Sequence, residues 1–232
     1  MKIEILNYTK KPLTQIGTVA SICYNTKLKD DKHASRIAKS CINDGHGRNM
    51  EFADLTISVN GVSARMMREC FRHQVGTSFL QASTRYITYD NFDYIKPNMN
   101  KEQEEIYDYC MNNIKESYKQ LKDLNTENDK TGYILPLCMD TTVIIKMNVR
   151  ALEHYASMRM CNRALLEFRQ FMNVLKKEIL NLNDDEWTWI AENLMLPKCK
   201  KQLYCDEGRG CGLMPSKKEV LNLLKTNNII KD

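Results

Sequence analysis

The sequence predicts an α+β fold, a single domain in which a mostly antiparallel sheet is flanked by long helices. Helical periodicity covers much more of the 232 residues than strand alternation does. Strand-like and helical segments do not alternate strictly, as they would in a doubly wound parallel sheet. No internal repeat or Gly/Ser-rich linker divides the chain. We therefore expect one domain over residues 1–215 and a C-terminal tail over residues 216–232.

The predicted strands and helices follow from apolar spacing and from the residues that flank each segment. Alternation predicts strands at residues 2–8 and 51–60, with the second strand turning at Gly61. Acidic residues near its start and Asp44-Gly45 after its end predict a helix at residues 30–43. Further helices, predicted from the same spacing, cover residues 62–71, 101–124 and, with a break near Cys161-Asn162, 142–182. Residues 125–132 are expected to form a loop.

Composition and charge exclude several classes of partner. The chain is 43% hydrophobic and 27% charged, which is ordinary for a globular protein with a real core. Its net charge of +5 comes without the clustered basic runs and interleaved aromatics typical of nucleic-acid binding, so we predict no nucleic acid polymer as partner. An anionic small molecule explains the charge equally well. The apolar stretches are short and the start lacks a signal core, so we expect no membrane association and a cytoplasmic location.

The nine cysteines divide into two groups. Six lie singly in apolar-patterned segments, and we expect them to be buried free thiols: Cys23, Cys41, Cys70, Cys110, Cys138 and Cys161. The other three, which we call the tail cysteines although they precede residues 216–232, are Cys199, Cys205 and Cys211, and they could ligate zinc. Their five-residue gaps differ from the usual CxxC spacing, and a fourth ligand is not evident in the sequence. A thiol-bearing loop without a metal is therefore the favoured interpretation.

Residues 71–86 form the densest polar cluster inside an otherwise apolar region. The segment contains Arg72, His73 and Arg85 together with several hydroxyl groups, and arginine forks suit phosphate oxygens. In an extended segment Ser83 and Arg85 would point to the same side. The alternative is that Arg72 and Arg85 form surface ion pairs while His73 caps a helix. The residues of this segment alone leave both interpretations open.

A second polar cluster lies at residues 148–159. On a helix Asn148 and Arg159 fall on nearly one face, whereas Arg150 and His154 stack on another. Two polar faces are expected of a helix that lies between subunits and contributes to more than one pocket. The alternative is a solvated face in which Arg150 or Arg159 pairs with Glu153 or another neighbour.

A third segment, residues 45–51, is by itself a turn with a polar rim. It nevertheless contains His46, and His73 and His154 lie in the other two clusters. Three of the four histidines of the chain are thus found in these three segments. This coincidence favours a shared site, although spacing alone does not identify its ligand.

Taken in order, these segments resemble the flavin-dependent thymidylate synthase family. Arg72-His73 and Ser83-Thr84-Arg85-Tyr86 resemble its signature RHRxxSxNExSxRY. His46, Glu51 and Gly61-Val62-Ser63 are similar to its HxSxxE segment and the following strand and turn. Residues 148–159 and 161–169 resemble its NxRSLxHFxxxR helix and the CNRAQWEIR continuation, and the tail cysteines resemble a Cys-rich ending found in part of the family. The agreement covers residues 15–212, and five motifs in order are a specific signal.

The resemblance implies a homotetramer with active sites between subunits, and an enzyme that converts dUMP to dTMP by reductive methylation. FAD would be the cofactor, with NADPH and methylenetetrahydrofolate as co-substrates. The residues implied to surround the flavin are His46, Glu51, Arg72, His73, Asn148, Arg150 and His154. Those implied to hold the nucleotide are Glu69, Gln81, Ser83, Arg85 and Arg159, and Arg159 would be catalytic at the uracil ring. The protein groups would position the ligands and polarise the uracil ring, because the redox chemistry belongs to the flavin.

This chain departs from the family pattern at several positions. They are Gln74 in place of an arginine, Arg48 in place of a small hydroxyl residue, Glu69 in place of a glutamine, Leu80 in place of a polar residue, one inserted residue between Val75 and Phe79, and Gly132 in place of a phosphate-binding arginine. Lys130 is close enough in sequence to Gly132 to replace the lost charge. Two alternatives to thymidylate synthesis therefore stay open. One is a flavoenzyme acting on another pyrimidine nucleotide or adding a different one-carbon group, and the other is a non-catalytic nucleotide- or flavin-binding protein.

Overall fold

The computed structural model describes residues 1–226. These residues form two compact units. The first, which we call the sheet unit, comprises Met1–Asn7 and Thr56–Lys146. The second, which we call the helical unit, comprises Tyr8–Leu55 and the described chain from Met147 onward. Neither unit is a continuous segment, because the chain passes from one to the other inside three strands.

The strands form one antiparallel sheet. They are β1 (Lys2–Tyr8), β2 (Asp54–Ser63), β3 (Thr77–Gln81) and β4 (Asp140–Asn148), hydrogen-bonded in the order β1-β2-β4-β3. Alternate residues of β2, namely Leu55, Ile57 and Val59, are fully buried. One face of the strand therefore packs into the core, because side chains of a strand alternate between its two faces. Together with the helices, this sheet confirms the predicted α+β class.

The helices outweigh the strands, as expected. In chain order they are α1 (Pro12–Cys23), α2 (Asp31–Asn43), α3 (Ala64–Cys70), α4 (Lys101–Asp123), α5 (Asn128–Thr131), α6 (Val149–Arg159), α7 (Leu166–Leu180), α8 (Asp185–Asn193), α9 (Lys198–Gln202) and α10 (Lys217–Thr226), with 3₁₀ helices at Gly47–Phe52 and Gly132–Ile134. Several begin at the residues that capping chemistry favours. Asn100 and Gln103 form a reciprocal capping box at the start of α4, and the Asp30 side chain accepts from the backbone N–H of His33 at the start of α2.

Three predicted boundaries are wrong for identifiable reasons. The strand predicted at 51–60 begins at Asp54, because a 3₁₀ helix covers Gly47–Phe52, and it continues through Gly61 to Ser63. The loop predicted at 125–132 contains α5. The helix predicted from residue 142 is β4 as far as Asn148, since the β-branched run from Thr141 to Ile145 favours an extended chain with alternate residues buried.

The other predicted elements agree closely with the structure. The predicted helix break near Cys161 is confirmed, because α6 ends at Arg159 and α7 begins at Leu166. The predicted tail boundary at residue 215 stays a prediction. Lys217–Thr226 of the proposed tail form α10, and residues 227–232 lie outside the described part of the chain. Within residues 1–226, no helix is long and apolar enough to cross a membrane.

The core of the helical unit is held by buried aromatic residues and by one close helix contact. Trp187 is fully buried, and its indole N–H donates to the carbonyl oxygen of Thr9 at 2.9 Å. Glu186 accepts from both the backbone N–H (2.8 Å) and the hydroxyl (2.6 Å) of Thr14, which satisfies a free donor in the first turn of α1. At Gly17 the backbone of α1 comes so near α2 that an added Cβ would lie 1.8 Å from the carbonyl oxygen of Ala34.

Replacing Gly17 by alanine should destabilise the protein, although alanine normally favours a helix interior by up to about 1 kcal/mol. The added methyl group meets backbone, which cannot yield as a flexible side chain can. Overpacking of this kind costs about 1–3 kcal/mol, and a backbone clash belongs at the upper end. The melting temperature and the urea midpoint of Gly17→Ala measure the loss. The matched control is Gly208→Ala, where nothing lies within 4 Å of the new Cβ. Equal stability of the two variants would contradict this packing.

Candidate active site

The sheet unit contains an open polar pocket, which we call the Arg85 pocket. Its volume is about 480 Å³. Its lining residues are Thr84, Arg85, Asn128, Asp129, Lys130, Gly132 and Tyr133. Two of them, Arg85 and Lys130, are cations suited to an anionic ligand. At Gly132 an added Cβ would lie 3.5 Å from the Thr84 hydroxyl oxygen, so the glycine leaves this wall of the pocket open without being needed for the turn.

Both cations of the Arg85 pocket have a carboxylate partner. Arg85 Nε lies 2.7 Å from Asp129 Oδ1, and Nη2 lies 3.3 Å from Oδ2, so the guanidinium fork is used twice. The hydrogen bond and charge of Arg85 lower the pKa of the Asp129 carboxyl. Lys130 Nζ lies 3.3 Å from Glu127 Oε2. Asp129 was not predicted from the sequence, because nothing in its spacing indicates a partner 44 residues away.

The chain enters the Arg85 pocket from β3. The amide of Gln81, at the end of this strand, donates to the Thr141 hydroxyl at 3.2 Å. The segment is not extended at Ser83 and Arg85, because residues 84–86 form a turn. In that turn Ser83 Oγ accepts from the backbone N–H of Arg85 at 3.2 Å. The hydroxyl therefore orients the Arg85 backbone, a local bond that serine favours.

Arg72 and His73 follow α3 in the same unit. Arg72 pairs with Glu69 at 3.4 Å, and both were predicted site residues. The ion pairs of Arg72 and Arg85 are those anticipated by the surface-pairing alternative. His73 is buried, with its backbone N–H donating to the carbonyl of Cys70 at 2.9 Å. Neither Glu69, Arg72 nor His73 lines the Arg85 pocket.

The helical unit contains a second basic pocket, which we call the Arg150 pocket. Its volume is about 400 Å³. Its lining residues include His46, Gly47, Arg48, Asn49 and Arg150. Two arginines and a histidine on one wall make an environment for an anionic group. Gly47 keeps the wall close to Arg150, since an added Cβ would lie 3.5 Å from its Nε atom.

Glu51 fixes Arg150 in this pocket. Arg150 Nη1 lies 2.6 Å from Glu51 Oε1, and the two side chains are about half exposed. The structure thus brings together two residues that are 99 positions apart in the sequence and were both predicted as flavin neighbours. The alternative interpretation paired Arg150 or Arg159 with Glu153 or another neighbour. The partner of Arg150 is Glu51, and Glu153 bonds to Lys201 at 2.6 Å.

The remaining residues of the second cluster lie along α6. Asn148 is the N-cap of this helix, and its Oδ1 atom accepts from the backbone N–H of Ala151 at 2.8 Å. Its side-chain oxygen is therefore engaged in capping, while its amide nitrogen can still face a ligand. His154 is exposed and does not line the Arg150 pocket. Arg159, the last residue of α6, places its guanidinium 5.0 Å from the centre of the Phe168 ring.

Arg159 also lines a cavity of about 650 Å³ in the helical unit, which we call the cysteine cavity. Four cysteines line it: Cys161, Cys199, Cys205 and Cys211. Cys161 shares this cavity with the other three and is half-buried, as are Cys41 and Cys138, so the prediction of buried thiols is wrong for these three. It is also wrong for Cys23 and Cys110, which are exposed. None of the nine cysteines forms a disulfide, as predicted for the six that lie singly. Among the described residues, no group of three or more His, Cys, Asp or Glu side chains is already arranged to hold a metal ion.

Comparison with known proteins extends these local observations. The family described as "Thymidylate synthase complementing protein" matches residues 4–182. A flavin-dependent thymidylate synthase of Nitratidesulfovibrio vulgaris is 25% identical over 92% of this chain and 95% of its own length. The structure of thymidylate synthase X from Helicobacter pylori with FAD and dUMP superposes with a TM-score of 0.68 at 17% identity, covering 83% of this chain and all of that one. A UMP/dUMP methylase from Streptomyces cacaoi, bound with 5-Br dUMP, has a TM-score of 0.62 at 16% identity, covering 81% and 94%.

Substituting Arg85 by glutamine should raise the pKa of the Asp129 carboxyl back toward its ordinary value of about 4. Since that pKa is lowered in the folded state, the pair stabilises the fold above the ordinary carboxyl pKa. The stabilisation is lost as pH falls through the lowered pKa. A carbon-13 NMR titration of the Asp129 carboxyl measures the change. Arg72→Gln is the control, because Arg72 pairs with Glu69 and should leave the Asp129 titration unaltered. An unchanged midpoint in Arg85→Gln would contradict the pairing.

Proposed function

The chain belongs to the thymidylate synthase complementing protein family, and we propose that it is the flavin-dependent thymidylate synthase that this membership indicates. The enzyme is a methyltransferase that converts dUMP to dTMP with methylenetetrahydrofolate and NADPH. One observation carries the proposal: each unit presents an arginine, held by a carboxylate, on a pocket wall built from a motif of the family. These are Arg85 with Asp129 and Arg150 with Glu51.

The Arg150 pocket fits the anionic part of FAD. Its wall supplies His46, Arg48 and Arg150, and the pyrophosphate of FAD carries negative charge. Arg48, which replaces a small hydroxyl residue of the family pattern, lines the same pocket and restores a charge of the kind lost at Gln74. Glu51 orients Arg150, and Asn148 fixes the start of the helix that carries it. Arg72, His73 and His154 are proposed as further flavin neighbours. When bound, the flavin supplies hydride received from NADPH.

The Arg85 pocket fits the phosphate of the nucleotide. Arg85 and Lys130 are its cations, and Lys130 supplies charge that the family pattern places at the position of Gly132. The present partners, Asp129 and Glu127, exchange for phosphate oxygens when the nucleotide binds. Ser83 keeps Arg85 oriented through its backbone, and Gln81 and Glu69 are proposed as additional nucleotide contacts.

Arg159 is proposed as the catalytic residue. A cation–π contact with the Phe168 ring helps to position its guanidinium at the end of α6. Donation to the uracil carbonyl oxygens stabilises negative charge as C5 becomes nucleophilic. C5 then forms a bond to the methylene carbon of the folate as that carbon's bond to one folate nitrogen breaks, and C5 gives up its proton to water. The bond to the second folate nitrogen breaks and tetrahydrofolate leaves. The transferred carbon receives one hydride and becomes the methyl group of dTMP.

The assembly and location follow from the same family membership. We propose a homotetramer in which subunits share active sites, consistent with the two polar faces of α6. The nine free cysteines fit the reducing cytoplasm. Residues 1–215 form the catalytic part, and residues 216–232 form a tail.

A related pyrimidine nucleotide is the second candidate substrate. The structural relative from Streptomyces cacaoi is a UMP/dUMP methylase, and the departures at Glu69, Leu80 and Gly132 fall on the nucleotide side. The chemistry at C5 is the same for UMP and dUMP. Each assay with dUMP should therefore be repeated with UMP as the substrate.

The purified protein should show a flavin spectrum and release tritium from [5-³H]dUMP with NADPH and methylenetetrahydrofolate, with dTMP as the product. Arg159→Ala should keep the flavin and lose turnover by about 100- to 1000-fold, the range for one oxyanion-stabilising donor. Arg163→Ala is the control, since Arg163 pairs with Glu207. Release from UMP alone would favour the second substrate, and absence of flavin after reconstitution would reject the enzyme. Retained turnover in Arg159→Ala would reject the role of Arg159.

Removing a carboxylate from the Arg85 pocket should strengthen nucleotide binding, and removing a cation should weaken it. Asp129→Asn removes the carboxylate that competes for Arg85, so dUMP should bind more tightly, by up to about fivefold. Lys130→Ala removes a charged contact and should weaken binding by about 10-fold to 100-fold. Calorimetry with dUMP measures both changes. The exposed Asp123→Asn and Lys119→Ala on α4 are the controls. Unchanged affinity in Lys130→Ala would remove Lys130 from the phosphate site.

A further inference from the structure

The cysteine cavity brings together four thiols that the sequence separates widely. Cys161 follows α6, Cys199 lies on α9, and Cys205 and Cys211 lie in the chain between α9 and α10. All four line one cavity of about 650 Å³ within the helical unit. Cys161 is the fourth thiol that the spacing of the tail cysteines does not reveal.

Two ion pairs fasten the segments that carry these thiols. Arg163, two residues after Cys161, has its Nη1 atom 2.7 Å from Oε2 of Glu207, two residues after Cys205. Lys198, adjacent to Cys199, bonds to Asp206, adjacent to Cys205. Each ion pair therefore joins a pair of cysteine-bearing segments, although neither pair contains a cysteine.

The backbone also holds Cys205 in place. Its N–H donates to the carbonyl of Pro215 at 2.7 Å, and its carbonyl accepts from the N–H of Lys217 at 3.0 Å. At Gly210 an added Cβ would lie 3.4 Å from Cys205 Sγ, so the glycine lets the loop backbone come close to this sulfur.

The charges around the cavity suit thiolates bound to a cation. Four thiolates together would repel one another, whereas a divalent cation among them removes that repulsion. A divalent ion with four thiolates carries a net charge of −2. The cavity wall supplies Arg159 and Lys200, in addition to Arg163 and Lys198, which pair with Glu207 and Asp206 on the same wall.

We propose that Cys161, Cys199, Cys205 and Cys211 bind one zinc ion as a tetrathiolate structural site. The four thiols release four protons to solvent, and no electrons are exchanged. Because no described group is already arranged to hold a metal, the sulfurs must move inward when zinc binds. Coupling of this kind between binding and folding is usual for structural zinc. The site joins the tail cysteines to the end of α6, because Cys161 lies two residues after Arg159.

Cobalt substitution tests the site without depending on flavin or nucleotide. The full chain, reduced and stripped of metal by a chelator under nitrogen, is titrated with Co²⁺ and then with Zn²⁺. We expect one cobalt per chain with the intense visible bands of a tetrahedral thiolate, which zinc then displaces. Each of Cys161→Ser, Cys199→Ser, Cys205→Ser and Cys211→Ser should weaken zinc binding by at least about 100-fold, beyond the usual effect of outer-shell substitutions. Cys211 is exposed, so its substitution is the least able to disturb folding.

The exposed Cys110→Ser on α4 is the matched control and should bind metal like the original chain. Absence of the cobalt thiolate bands overturns the proposal. Metal binding that survives all four substitutions overturns the assignment of its ligands. Iron with acid-labile sulfide in the purified protein overturns the assignment of zinc. The flavin spectrum and dTMP formation, measured on the same preparations, report separately on the proposed enzyme.

Discussion

Antiparallel pairing between β2 and β4 is the constraint on which the candidate site depends. In the sheet unit it joins Thr142 Oγ1 to Asn60 Oδ1 at 2.8 Å, and in the helical unit it joins the N–H of Val149 to the carbonyl of Ala53 at 2.9 Å. The residues just before β2 therefore lie beside those just after β4. Glu51 and Arg150 occupy these two positions, so their ion pair follows from strand register. A one-residue slip would reverse every buried side chain of β2, which makes the register costly to change.

Arginines held by carboxylates recur in the proposed flavin and nucleotide pockets. An exposed ion pair adds little to stability, so Arg85–Asp129 and Arg150–Glu51 are better understood as positioning devices. The carboxylate limits the rotamers of a long side chain before the ligand arrives, which reduces the entropy lost on binding. It also competes with the ligand for the same donors. Affinity in each pocket is thus set by the difference between two charge-assisted interactions.

Two departures from the family pattern lie on the walls of the two basic pockets. Gly132 removes an arginine from a wall of the Arg85 pocket where Lys130 still supplies a cation. Arg48 adds a cation to the Arg150 pocket, where the family pattern has a small hydroxyl residue. Local patterns predicted α2, α4 and the break after α6 well, because caps and apolar spacing act within a few residues. The prediction failed at β4, where the helical pattern was extended over a β-branched run that itself favours a strand.

By itself the sequence determined the α+β class, the family and the set of candidate residues, because motifs in order and local propensities are properties of neighbouring residues. Only the tertiary structure decided which of those residues meet. Asp129 reaches Arg85 across 44 residues, Glu51 reaches Arg150 across 99, and Cys161 shares a cavity with three tail cysteines. The physical reason is that such pairings are made by strand register and by the packing of distant segments, which no local spacing encodes.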